Sequence, residues 1–222
     1  MVEIRVRELL EKVGVELAPR ETLLIYGAPM VRKSLFSVLL AREYNLDLKI
    51  LALEPSWREL KYLELMRKYI PEGSELIHLT INGLWSALFK LSRLNRSMFI
   101  IVDSLSVLAD EIVKAVKRAE PLAVVSRASM LMRVVAYELK KCCINTNSIG
   151  VIICQATGTP QAFRAIAQLK PSVATRVGHY CTYMVLLEIG SEPEERILTV
   201  VANRVKPYME GRSVVFTFSQ LK

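Results

Sequence analysis

The stretch LLIYGAPMVRKSLF, residues 23–36, decides the fold. An apolar run ends at Gly27, and Lys33 and Ser34 then open a segment with helical spacing. These three residues have the spacing of the phosphate-binding loop G-x-x-x-x-G-K-[ST], which joins a strand to a helix. Arg32 stands where this motif has its second glycine, so the loop is a degenerate Walker A motif.

Such a loop binds an anion because backbone N–H groups converge at the mouth of a helix. The lysine neutralises terminal phosphates and the serine hydroxyl binds Mg²⁺, so ATP and Mg²⁺ are the expected ligands. A left-handed Arg32 would cost about 1–2 kcal/mol, which makes weak or absent ATP hydrolysis the expectation. A loop that only connects two core elements, or a relic kept for packing, is the alternative. The expected nucleotide-binding residues are Gly27, Ala28, Pro29, Arg32, Lys33, Ser34 and Leu35.

Short apolar segments alternate with longer segments of helical period along the first 154 residues. Strands are predicted at 22–26, 48–53, 76–80, 98–102 and 149–154, and helices at 34–44, 57–69, 81–89 and 124–142. Three further apolar segments, 183–189, 196–202 and 214–218, follow without a helix between them. The pattern predicts an α/β fold with a mainly parallel central sheet, helices on both faces and an antiparallel C-terminal hairpin. No linker or repeat interrupts it, so residues 1–222 are predicted to form one domain.

Composition narrows the class of protein. The chain of 222 residues has 52% hydrophobic residues, too many for a disordered chain, and a net charge of +8, which favours nucleic acid or acidic partners. No apolar run approaches the roughly 20 residues needed to cross a bilayer, so a cytoplasmic protein without a membrane partner is expected. The four cysteines are expected to be buried thiols in a reducing compartment, because no C-x-x-C pair occurs and histidine is scarce.

Three polar residues follow buried strands and accompany the loop. Asp103 ends the strand MFIIV, where a carboxylate can hold the Mg²⁺ shell opposite Ser34. Glu54 ends LKILAL, where it can orient and activate a water beside a γ-phosphate, and Gln155 ends VIIC, where it can sense that phosphate. Singly, each has an ordinary interpretation: a cap, a solvated glutamate before a helix, a polar loop residue. Together they lie at the edge of an open sheet where ligands bind.

Nearly the whole chain resembles the RecA/RadA recombinase family. GVELAPRETLLIYG (14–27) is similar to the segment before the family's phosphate loop, and IIVDSLSVL (100–108) to its second nucleotide motif. IICQAT (152–157) is similar to the strand that ends in the glutamine coupling nucleotide state to DNA binding. LALEPSWRELKYLELMRKY (51–69) and residues 196–218 resemble the segment of the catalytic glutamate and the C-terminal hairpin.

The resemblance implies a RecA-like P-loop NTPase core, with Glu54 as the catalytic residue, Ser34 and Asp103 as metal ligands and Gln155 as the sensor. The chain has almost nothing before this core, so no N-terminal DNA-binding domain is expected. It therefore resembles the short recombinase paralogues, of which archaeal RadB is one type.

In that family the loop after the glutamine strand contacts single-stranded DNA. Here the loop spans residues 156–177, has no acidic residue, and carries the expected DNA-binding residues Arg164, Lys170 and Arg176. Phe163 can stack on a base. An ordinary solvated loop with a short packed helix is the alternative.

The resemblance implies a paralogue that binds single-stranded DNA and ATP and assists or modulates a full-length recombinase, or another repair protein, in recombination and repair. A non-enzymatic RecA-fold scaffold, an active DNA-dependent ATPase and a signalling-type ATPase of the same superfamily are the alternatives. Arg32 favours the first two over the ATPase, and the retained Glu54, Asp103 and Gln155 favour the first over the scaffold.

Overall fold

A central sheet of eight strands organises the part of the chain that the computed structural model describes, residues 3–107, 121–155 and 177–221. Within these ranges the side chains of residues 81, 82, 85 and 121–129 are not described. The strands are β1 Thr22–Gly27, β2 Asp47–Ala52, β3 Glu75–His78, β4 Met98–Asp103, β5 Ile149–Gln155, β6 Tyr183–Ile189, β7 Glu195–Asn203 and β8 Ser213–Thr217. Their order across the sheet is β3-β2-β4-β5-β1-β6-β7-β8.

The sheet is parallel from β3 to β6, and β7 and β8 then add antiparallel. The helices are α1 Val6–Lys12, α2 Lys33–Arg42, α3 Leu60–Arg67, α4 Ile81–Leu91 and α5 Pro121–Thr146. This confirms the predicted α/β fold with a mainly parallel sheet and an antiparallel C-terminal hairpin.

Helices cover both faces of the sheet because the central strands β1, β4 and β5 are mostly apolar and are buried along almost their whole length. All six residues of β1 are buried, with Leu23 and Ile25 in one core and Leu24 and Tyr26 in the other. The first core contains α1 and α2, and the second contains α4 and α5. A strand buried on both faces has no polar alternation, which is why these segments read as continuous apolar runs.

The predicted helix 57–69 is wrong at its start. Residues Pro55–Arg58 form a 3₁₀ turn, and α3 begins only at Leu60, after Glu59 adopts an extended backbone. Pro55 starts the turn because its fixed φ suits a first helical position. The predicted strand 76–80 is shorter, Glu75–His78, and the short α1 before β1 was not predicted from the sequence.

Among the described residues, no helix combines the length and the apolarity required to pass through a bilayer.

Candidate nucleotide site

Because strands β1, β2, β4 and β5 are parallel, their polar C-terminal residues lie at one edge of the sheet. β1 and β5 pair so that Gly27 lies beside Gln155, and β2 and β4 pair so that Ala52 lies beside Asp103. Glu54 follows two residues after Ala52. The carboxyl ends of parallel strands meet at one edge, where open α/β sheets bind ligands.

The loop between β1 and α2 keeps a left-handed backbone without its second glycine. Arg32 has φ 66° and ψ 36°, and it caps the start of α2 without a side-chain hydrogen bond. Met30 also has φ 66°. The left-handed conformation expected at Arg32 is therefore present, and an L residue holds it at a cost of about 1–2 kcal/mol. The backbone follows the path that a glycine would favour.

Gly27 is required by close approach rather than by the motif alone. A Cβ at this position would lie 2.1 Å from the carbonyl oxygen of Leu187 in β6 and 3.3 Å from a methyl group of Val31. Backbone from a neighbouring strand cannot move aside at low cost. The first glycine therefore fixes how closely the loop lies against the sheet.

Lys33 lies inside the loop, with 7% of its surface exposed. Its Nζ donates to the carbonyl oxygens of Gly27 and Ala28, at 3.0 and 2.7 Å. Burial lowers the pKa of Lys33 to about 8, and the nearby Asp103, Cys154 and Glu54 oppose that shift. The ammonium group is held by the loop's own carbonyls, at the mouth of a helix that favours anions.

Ser34 and Asp103 form the candidate metal site. The Ser34 hydroxyl donates to Asp103 Oδ2 at 2.5 Å, and the indole Nε1 of Trp57 donates to the same oxygen at 2.7 Å. Asp103 is 2% exposed, and burial raises its pKa, against which the two hydrogen bonds act. The described residues contain no group of three or more His, Cys, Asp or Glu side chains placed to hold a metal. A hydroxyl and one carboxylate fit Mg²⁺, which is usually held by one or two carboxylates together with phosphates and water.

Glu54 is tied to the same strand end. The backbone N–H groups of Leu53 and Glu54 both donate to the carbonyl oxygen of Asp103, at 2.6 and 3.0 Å. Ser104 Oγ donates to Glu54 Oε2 at 3.1 Å. The backbone contacts hold the start of the 3₁₀ turn against β4, and the Ser104 contact holds the glutamate carboxylate.

Gln155 is half-buried at the end of β5. Its backbone N–H donates to Ser106 Oγ at 2.6 Å, which links the end of β5 to the segment after β4. Gln155 therefore lies between the β1–α2 loop and the segment that follows β5, in which the DNA-binding residues were predicted.

A cavity of about 680 Å³ joins these groups. Its walls include the loop, the 3₁₀ turn after β2, one face of α3 and the ends of β4 and β5. Of the predicted site residues it is lined by Pro29, Arg32, Lys33, Ser34, Leu35, Glu54, Asp103 and Gln155. Gly27 and Ala28 contribute through their carbonyls to Lys33.

The guanidinium of Arg32 lies near the aromatic ring of Phe218, which follows β8. Its Cζ lies 5.4 Å from the ring centroid of Phe218, and the Cζ of Arg196 lies 5.9 Å from the same centroid. Arg196 is 5% exposed, and its Nε has no hydrogen-bond partner among the described residues. Burial and the charge of Arg32 both lower the pKa of Arg196. Two cations therefore lie close to the phosphate loop.

Sequence reasoning missed Trp57, Ser104 and Tyr62, which contact the predicted site residues. Tyr62 packs edge-on against Trp57, with centroids 5.2 Å apart, and burial raises its pKa to about 12. The position of Trp57, three residues after Glu54, was the one available sign that it belongs to the site. An aromatic residue at this position is equally compatible with simple core packing.

The predicted DNA-binding residues Arg164, Lys170 and Arg176, and the loop 156–177 apart from Val177, lie outside the described residues. The four cysteines are buried free thiols, and burial raises the pKa of each, so unreactive core thiols account for them.

Comparison with known proteins defines the fold. No protein-family model and no curated protein sequence matches the chain. Among solved structures, the RadB recombinase is similar with a TM-score of 0.62 and 17% identity, over 97% of this chain and 94% of that chain. The ATPase domain of a helicase is similar with a TM-score of 0.62 and 12% identity, over 98% of this chain and 87% of that chain. The chain therefore has a RecA-like fold, as the sequence predicted.

Proposed function

We propose that this protein is a RadB-type recombinase paralogue that binds ATP with Mg²⁺ and single-stranded DNA, and assists or modulates a full-length recombinase in recombination and repair. One observation carries the proposal. The loop lysine, the serine–aspartate pair, the glutamate and the glutamine line one cavity at the carboxyl edge of a RecA-like sheet. The proposal also includes that the protein is of the archaeal type, is cytoplasmic and consists of a single domain.

Nucleotide binding is supported by the chemistry of each group. The backbone at the start of α2 offers N–H donors to an anion, and Lys33 adds a buried positive charge. Mg²⁺, when bound, neutralises phosphate charge, and Ser34 and Asp103 are the residues that would hold it. Arg32 lines the cavity and adds a second positive charge.

Slow hydrolysis is supported by the strained loop. Glu54 would orient a water and accept its proton, and the hydrogen bond from Ser104 to one of its oxygens supports this role. Arg32 and Met30 are side chains in left-handed positions, so the loop has less freedom to close around a transition state. Weak turnover together with retained binding follows.

DNA binding is supported by the net charge and by the connectivity of the chain. The net charge of +8 favours a polyanion, and the basic loop after Gln155 is connected to the nucleotide edge. Gln155 would then transmit the presence of the terminal phosphate to the DNA-binding segment.

The test is single-strand binding measured by fluorescence anisotropy with a labelled oligonucleotide, with and without Mg²⁺ and a non-hydrolysable ATP analogue. We expect the analogue to change the affinity for the oligonucleotide and Gln155→Ala to remove that change. Gly73→Ala, at a position that does not line the cavity, is the control. Affinity that is the same with and without analogue in the wild-type protein would contradict the proposal.

An active DNA-dependent ATPase is the second candidate, and the Ser104–Glu54 contact favours it because a catalytic glutamate in a relic site has no need of a fixed position. Phosphate release that rises on addition of single-stranded DNA and is lost in Glu54→Gln would support it over the accessory role.

A further inference from the structure

Trp57 makes a contact that neither the loop motif nor the fold requires. Its side chain is fully buried, and its indole Nε1 donates to Asp103 Oδ2 at 2.7 Å. A buried indole N–H needs an acceptor, and a backbone carbonyl is a sufficient one. Here the acceptor is the carboxylate that forms the candidate metal site.

The indole is held firmly in that direction. Trp57 lies in the 3₁₀ turn Pro55–Arg58, and its backbone N–H donates to the carbonyl of Glu54 at 3.2 Å. Its ring packs edge-on against Tyr62 at 5.2 Å. The turn itself is tied to β4 through the N–H groups of Leu53 and Glu54 on the carbonyl oxygen of Asp103. Rotation of the indole away from the carboxylate would break its hydrogen bond to Asp103 and its ring contact with Tyr62.

Both side-chain donors fall on the same oxygen of Asp103. Ser34 Oγ lies 2.5 Å from Oδ2, on the side of the phosphate loop, and Trp57 approaches from the turn after β2. Two fixed donors on one oxygen restrict the rotation of the carboxylate. A carboxylate with one donor would rotate more freely.

We propose that Trp57 is a positioning residue for metal binding: its indole N–H fixes the Asp103 carboxylate, which together with Ser34 would hold Mg²⁺ or a water of its shell. This role rests on the proposed nucleotide function. Groups that orient a metal ligand typically matter about 10–100-fold for metal affinity. Trp57 is therefore part of the site although it does not line the cavity.

Trp57→Phe tests the role because it keeps a buried ring against Tyr62 and removes only the N–H donor and part of the ring. Binding of a fluorescent ATP analogue is measured at increasing Mg²⁺, and separately in excess chelator. We expect the Mg²⁺ concentration at half-maximal binding to rise by about 10-fold or more, while the metal-free affinity stays within about twofold.

Tyr44→Phe is the matched control. It removes one aromatic donor, the hydroxyl that binds the carbonyl oxygen of Leu17 at 2.7 Å, and does not touch Asp103. Its Mg²⁺ midpoint should equal that of the wild-type protein. A Trp57→Phe midpoint equal to the wild-type value would overturn the positioning role and leave the nucleotide function standing. A wild-type protein that binds no analogue would overturn both, and one that binds it independently of Mg²⁺ would overturn the positioning role alone.

A measurement on the wild-type protein covers the case in which Trp57→Phe fails to fold. The chain has two tryptophans, so its ¹⁵N-indole spectrum has two signals, which Trp85→Phe assigns. Adding Mg²⁺ to the analogue-bound protein should shift the Trp57 signal, because its acceptor carboxylate changes partners. A Trp57 signal that stays unchanged while the analogue binding tightens would overturn the role.

Discussion

Replacement of Arg32 by glycine and by alanine separates backbone strain from side-chain contact. Arg32 has φ 66°, and its guanidinium lies 5.4 Å from the Phe218 ring. Both replacements lose this cation–π contact, worth about 0.5–1 kcal/mol at an exposed site. Only glycine relieves the left-handed strain, worth about 1–2 kcal/mol.

The difference between the two variants therefore isolates the strain. Glycine also gives the unfolded chain more conformational freedom, which lowers the free energy of unfolding of Arg32→Gly by about 0.4–1 kcal/mol relative to Arg32→Ala. The net expectation is that Arg32→Gly is about 1 kcal/mol more stable than Arg32→Ala, a shift of roughly 2–4 °C in Tm for a protein of this size. Arg32→Ala should melt below the wild-type protein, and Arg32→Gly close to it.

Thermal unfolding followed by circular dichroism, in the absence of nucleotide, measures this difference. Gly73→Ala serves as a reference because Gly73 has φ 80° and open space around its hydrogen, so its cost is conformational strain alone. Equal melting temperatures for Arg32→Gly and Arg32→Ala would refute the reasoning, because they would show that the loop backbone at residue 32 is not left-handed in solution.

Other predictions follow from the same contacts. Arg32→Gly should raise ATP turnover measured by phosphate release, and an unchanged rate would place the limitation elsewhere. Gly27→Ala should destabilise the protein by about 3 kcal/mol or more in denaturant unfolding, against about 1–2 for Gly73→Ala, because its Cβ would meet the Leu187 carbonyl; similar losses would contradict the close approach. The pKa of Lys33 is about 8, so above that pH the side chain is neutral and must regain its proton to bind phosphate. The affinity for the ATP analogue, measured by calorimetry, should therefore be constant below pH 8 and fall about tenfold per pH unit above it. A constant affinity up to about pH 10 would exclude Lys33 as the phosphate ligand. Joint replacement of Arg164, Lys170 and Arg176 by alanine should weaken single-strand binding and flatten its log–log salt slope by about 2, and an unaltered slope would move the DNA site off this loop.

Much of the fold was predictable because its strands are buried on both faces. Continuous apolar runs such as residues 22–26 and 98–102 separated by helical periods leave few alternatives to a parallel sheet. The break at Glu59 was not predictable, since residues 57–69 keep an uninterrupted helical spacing and only Pro55 indicated a different start.

The site residues that follow directly after apolar strands were predictable from the sequence, and those placed by side-chain packing were not. Glu54, Asp103 and Gln155 each follow an apolar run, and parallel register then brings them together. The direction of the Trp57 indole depends on a 3₁₀ turn, and the contact of Arg32 with Phe218 joins residues 186 positions apart in sequence. Neither spacing nor composition contains that information.

Binding of Mg²⁺ and a non-hydrolysable ATP analogue, measured by isothermal titration calorimetry on the wild-type protein and on Lys33→Ala, tests the central claim that the degenerate loop still holds phosphate. The account predicts saturable binding to the wild-type protein and none to Lys33→Ala, with both proteins folded by circular dichroism. Absence of binding to the wild-type protein, or equal binding to both, would contradict it.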